Sequence, residues 1–162
     1  MSKKMNVRQL LSLCLLCGIT LLGIACKKDD KATPTVEQAK VTGLSMMLSS
    51  DQKGIQDVNV LFKDATGLGG KTSPNVITLD ANTIYTGTLA LEDATQSPAK
   101  VVTTDYQVTF QVASADATFS MSGQEVQITT RAASTGSNGM LHVELKQGSQ
   151  VQKVSFPLMV RQ

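Results

Sequence analysis

The chain has 162 residues, with 15 basic and 13 acidic side chains and a formal net charge of +2 when its one histidine is neutral. Three of the basic residues, Lys3, Lys4 and Arg8, fall in the first eight positions with no acid among them. The rest of the chain is close to neutral, which leaves no basic field to attract nucleic acid or anionic lipid.

Leu10 to Leu22 is apolar except for Ser12, Gly18 and Thr20. A bilayer span takes about twenty apolar residues, and this run is shorter. A basic start followed by a short apolar core reads as an export signal. The core ends on Leu22-Gly23-Ile24-Ala25-Cys26, where small Ala25 suits a peptidase that admits a narrow chain. Cys26 is therefore expected to become the lipidated first residue of the mature protein. The competing reading is an ordinary secretory signal with an incidental cysteine. An apolar core that stops directly on Cys is uncommon by accident.

These residues carry a resemblance. Leu22 to Cys26 looks like a bacterial lipobox, with Gly23 where Leu is usual and the Leu one place earlier. Lys28-Asp29-Asp30 is similar to the surface-export signal of Bacteroidetes-type lipoproteins, although a solvated charge run gives the same letters. The resemblance implies a lipid anchor in the outer membrane facing the cell surface, with the periplasmic face as the alternative. Two acyl chains hold a protein on a membrane, whereas one gives only marginal binding.

Removing residues 1–25 leaves 137 residues with 12 basic and 13 acidic side chains, a net charge of about −1. That length supports one domain. Cys14 and Cys17 leave with the signal and Cys26 is consumed by lipid. The mature domain is then left without a disulfide, a thiolate metal site or a cysteine nucleophile. Lys27 to Gln38 is polar, contains Pro34 and reads as a flexible tether, 26–38. Its reach is at most about 40 Å.

From residue 39 to 162 the apolar period is two. Leu44, Met46 and Leu48 share one face, then Val58, Val60 and Phe62. Tyr85, Gly87, Leu89 and Leu91 come next, then Tyr106, Val108, Phe110 and Val112. Shorter runs hold Phe119 with Met121, and Val126 with Ile128 and Thr130. Leu141, Val143 and Leu145 precede a last run of Val154, Phe156, Leu158 and Val160. Turn clusters separate them at Asp51 to Gly54, Thr66 to Pro74, Ser122-Gly123, Ser134 to Gly139 and Gly148-Ser149. The pattern predicts an all-β domain, a single antiparallel β-sandwich of seven to nine strands with an immunoglobulin-like arrangement. Met46, Met47, Met121 and Met159 are expected to fill the core.

The most distinctive stretch is Phe62 to Pro74, with Asp64, Gly67, Gly69 and Gly70 as a candidate binding loop. Glycines this dense serve either a sharp turn or a close backbone approach. Together with Asn82 to Gly87 and Leu89 to Pro98, the stretch resembles small Bacteroidetes-type lipoproteins that accompany TonB-dependent outer-membrane transporters. Those relatives carry a second Asp where this chain has Thr66. One carboxylate makes a poor calcium site, so a structural crossover is favoured and no metal is assigned. The loop Ala133 to Gly139 is a second candidate.

His142, flanked on its face by Met140 and Glu144, has side chains that ligate haem iron or copper. A lone exposed histidine is more often polar surface, and no cofactor is expected. No Gly-x-Ser-x-Gly elbow occurs. Glu92 and Asp93 are adjacent on a strand and point to opposite faces, which is wrong for paired carboxylates. The expectation is a non-catalytic binding or accessory module, anchored by lipid and serving an outer-membrane transporter, with its small-molecule ligand unidentified. The alternative is a structural or adhesive surface protein.

Overall fold

A computed structural model of the chain describes residues 40–134 and 138–162. The signal, the tether, Cys26, Lys28, Asp29 and Asp30 lie outside these residues, as do positions 135–137 of the Ala133 to Gly139 loop.

Period-two alternation becomes strand wherever it was expected, because each run can bury one face and hydrate the other. In chain order the strands are β1 (Gly43–Ser49), β2 (Val58–Lys63), β3 (Lys71–Thr72), β4 (Ile77–Asp80), β5 (Ile84–Asp93) and β6 (Lys100–Val101). A short 3-10 turn, Thr103–Asp105, precedes β7 (Gln107–Ala113), β8 (Ala117–Ser122), β9 (Glu125–Thr130), β10 (Gly139–Gln147) and β11 (Gln150–Arg161). One sheet has the order β2-β1-β5-β9-β8, with β6 paired to the end of β5. The other has the order β3-β11-β10-β7, with β4 following β3 along the same edge of β11.

The two sheets pack into a β-sandwich. Leu44, Met46, Leu48, Leu89, Leu91 and Ile128 from the first meet Leu141, Val143, Leu145, Val154, Phe156 and Leu158 from the second, all at most 1% exposed. Side chains of this kind contribute about 1.5–3 kcal/mol each on burial. Phe62 and Phe156 meet edge to face across the gap, with centroids 6.3 Å apart. Gly87 sits in the middle of the first sheet, paired to Leu48 on one side and Val126 on the other. A Cβ at Gly87 would lie 1.9 Å from the Met47 carbonyl oxygen, so no other residue fits this approach of β1 and β5.

Three expectations need correction. Among the described residues there are eleven strands, more than the seven to nine expected. The extra ones are β3 and β6, of two residues each, and β4. The second sheet is also mixed, because β3 and β4 both run parallel to β11. Pro74 and the glycines before it disguise Ile77–Asp80 as the tail of a turn cluster. Lastly, Met47 points outward and is 67% exposed, and Met159 lies half-buried on the face of β11 away from the core, while Met46 takes a core position and Met121 packs against it.

Candidate functional site

The Asp64–Gly70 loop carries the chain from β2 in one sheet to β3 in the other. The Asp64 N–H donates to the Thr42 carbonyl at 2.8 Å as β2 ends. The Asp64 carboxylate then accepts from the Thr66 N–H at 2.8 Å and the Thr66 hydroxyl at 2.6 Å, a side-chain-closed turn. Lys71 completes the arrangement. Its ammonium donates to the other Asp64 oxygen and, at 2.6 Å, to Thr66 Oγ1. Lys71 and Thr66 hold the Asp64 carboxyl well below the usual carboxylate range. The cationic partner of Asp64 is thus a side chain of the same loop. Among the described residues no group of three or more His, Cys, Asp or Glu is placed to hold a metal ion.

The glycines of this loop turn the backbone. Gly67, Gly69 and Gly70 have φ of 93°, 54° and 72°, the left-handed region where a Cβ is strained. Between them Leu68 is fully buried and pegs the loop into the core. The Gly70 N–H reaches the Lys153 carbonyl on β11 at 2.8 Å.

A second turn repeats the first, a feature that apolar alternation does not reveal but a repeated tripeptide does. Asp93-Ala94-Thr95 has the same three residues as Asp64-Ala65-Thr66, again at the end of a strand. Asp93 is 2% exposed and accepts from the Thr95 N–H at 2.9 Å and from the Lys40 N–H at 3.1 Å. Burial alone pushes its carboxyl up, yet the Thr95 and Lys40 hydrogen bonds prevail and hold it below its ordinary value. Thr42 lies between the two turns: its carbonyl takes the Asp64 N–H and its hydroxyl oxygen takes the Ala94 N–H at 2.8 Å. The entering chain is clamped there.

The strand registers place these features. Gly43 pairs with Lys63 and with Glu92, so the entry at Lys40, the Asp64–Gly70 loop and the Asp93–Thr95 turn share one end. Ser134 is at the other end, where its N–H bonds the Val160 carbonyl at 2.7 Å beside the last residues of β11. The two candidate loops therefore lie at opposite ends and do not form one site.

The far end is tied together by hydrogen bonds. Arg161 Nε bonds Asp80 Oδ1 at 2.6 Å and holds that carboxyl below its ordinary value. The Thr130 hydroxyl donates to the Asp80 carbonyl at 2.6 Å and accepts the Thr83 N–H at 3.0 Å. Beside this network Ala132, Ser134, Asn138, Met159 and Arg161 line a shallow open cleft. No periodicity signals it, because its residues converge from the end of β11 and the connection between β9 and β10.

His142 stands on the outer face of β10 with Nδ1 2.8 Å from Ser155 Oγ on β11. Its neighbour Glu144 pairs with Lys153 at 2.8 Å. Glu92 is 3.8 Å from Lys63 and Asp93 is buried in its turn, so the adjacent carboxylates face different surroundings. Among the described residues no helix is long and apolar enough to cross a membrane. Comparison of the chain with protein-family models, with curated proteins and with solved structures finds no match in any of the three.

Proposed function

We propose that this protein is a lipid-anchored, surface-facing lipoprotein whose β-sandwich is a non-catalytic binding module serving an outer-membrane transporter. The anchor is Cys26 and the outward address is Lys28-Asp29-Asp30. The observation that supports the reading most is the polarity of the domain. The chain enters at Lys40, clamped between the Asp64–Thr66 and Asp93–Thr95 turns, and the cleft of Ala132, Ser134 and Arg161 lies at the opposite end. A tether attached at one end leaves the other end presented, and connecting loops on a rigid scaffold are where binding residues concentrate. On this reading the Asp64–Gly70 loop frames the membrane-side entry and the Ala132–Asn138 end meets the ligand or transporter.

The test is protease shaving of intact cells expressing the wild type, Cys26→Ala, or an Ala replacement of Lys28, Asp29 and Asp30. The proposal expects a shaved wild type, a released Cys26→Ala protein and a protected triple-Ala protein. A wild type that is lipidated yet protected reverses the outward assignment. Transporter pull-down comparing Ser134→Trp with Gly69→Trp then assigns the end, and loss with Gly69→Trp alone overturns the far-end choice.

A further inference from the structure

β7 and β8 are the outermost strands of their respective sheets and lie on the same side of the sandwich. Among the described residues no ladder runs along the outer edge of either. Such an edge offers a row of unpaired N–H and C=O groups, and proteins commonly guard it with lysine, proline or a bulge. These two have no such guard. Gln-Val-Thr-Phe-Gln-Val-Ala and Ala-Thr-Phe-Ser-Met-Ser contain no charge, no proline and no glycine. The one charged residue from 107 to 122 is Asp116, in the connection between them. The inward side chains Val108, Phe110, Val112, Ala117, Phe119 and Met121 are only half-buried, unlike their counterparts on the central strands.

We infer that a second copy of this chain docks along this side, each β7 pairing with β8 of the other copy so that both sheets continue through the dimer. The register follows from setting Phe110 opposite Phe119 of the second copy. β7 runs away from the Lys40 end and β8 returns toward it, and the rings of Phe110 and Phe119 meet at 5.6 Å, so the two residues lie at similar heights. A two-fold axis parallel to the strands preserves height and direction. It brings Phe119 of the second copy opposite Phe110, and the pairing is antiparallel. The other strand pairs then match in kind: Val108 with Met121, Val112 with Ala117, Thr109 with Ser120, Gln107 with Ser122 and Gln111 with Thr118. Apolar residues meet apolar ones on the inner face, hydroxyls and amides meet on the outer face, and no like charges oppose. The interface is self-complementary, as a two-fold contact must be.

A two-fold axis perpendicular to the sheets would instead pair β7 with β7 and β8 with β8. That arrangement sends the two Lys40 ends in opposite directions, which two anchors in one membrane exclude. The choice of axis thus rests on the anchored reading above; the self-pairing of this side does not.

The test is sedimentation of the full lipidated chain in detergent, for the wild type and two double variants. Thr109 and Ser120 are both exposed, so T109K/S120K and T109K/S120E are expected to melt like the wild type. In the proposed dimer residue 109 faces residue 120 twice. T109K/S120K should weaken the dimer by about tenfold or more, and T109K/S120E should keep it. A wild type that stays monomeric at high micromolar concentration overturns the inference. So does a dimer that responds alike to both variants, which is the result for like-with-like pairing, and so does a strand of another protein found in place of the second copy. Incorporation of labelled palmitate, lost in Cys26→Ala, reads the anchor separately.

Discussion

Tyr85 and Asp80 are joined in both directions. The Asp80 N–H donates to the Tyr85 hydroxyl oxygen at 3.0 Å, and that hydroxyl donates to Asp80 Oδ2 at 3.2 Å. Tyr85 is fully buried, so no solvent replaces it. Tyr85→Phe removes the acceptor and leaves a backbone donor unpaired where β4 ends. The expected cost is about 1–3 kcal/mol, read as a lower denaturation midpoint in urea with an unchanged slope. A neutral result would mean that the bond is made no better than one to water.

The same pair governs part of the pH response. Burial raises the Tyr85 hydroxyl above its usual range, so its contribution is full below about pH 10 and is lost as the pH climbs through the folded value. Asp64, Asp80 and Asp93 behave in the opposite sense. All three are lowered in the folded protein, the first chiefly by Lys71 and the second by Arg161. In the third, the Thr95 hydrogen bonds outweigh burial. The contribution of each is full above about pH 4 and is lost as the pH falls through the lower folded value. Thermal melts from roughly pH 2 to 11 should show a plateau with an acid and an alkaline limb. The acid limb should flatten in a D64N/D80N/D93N variant, and an unchanged limb would assign acid sensitivity elsewhere.

Leu68 and Leu61 are close in sequence and opposite in role. Leu68 is fully buried at the centre of the glycine loop, and Leu61 is 49% exposed on the outer face of β2. Leu68→Ala should cost about 2–5 kcal/mol and Leu61→Ala about 0.5 or less, measured by urea unfolding. Equal costs would mean that the loop is not pegged to the core.

Gly87 admits no side chain, since its Cβ would overlap the Met47 carbonyl. Gly87→Ala must push β1 away from β5. A loss of about 1–3 kcal/mol is expected, with faster amide exchange at Leu48 and Thr88 as the local signature. Gly148, with open space around its Cβ position, is the comparison, although its φ of 59° still carries a backbone strain of about 1–2 kcal/mol on replacement.

The alternation that revealed the strands also predicted their inward faces. Leu44, Met46, Leu89, Leu91, Leu141, Val143, Phe156 and Leu158 are core residues because a strand half-buried in a sandwich has no other use for period two. Pairing was less legible. Nothing local distinguishes β4 as a parallel partner of β11, since that ladder forms only when distant segments meet. Asp64 could be placed on a turn from its spacing to Thr66, but its ion pair with Lys71 required the loop to close. Of the cleft near Ser134 only the Ala133 to Gly139 side was legible, because the rest of its lining comes from the distant end of β11.

Among the described residues β11 is the last strand in sequence, and it lies inside its sheet, with β10 on one side and β3 and β4 on the other. Until Gln150–Arg161 emerges, β3 and β4 have no neighbour to join and half of the sandwich has no centre. Pairings this distant in sequence form slowly, since the intervening chain must be closed first. Closure of β3 and β4 onto Gln150–Arg161 is therefore the step that joins the segments farthest apart in this sheet.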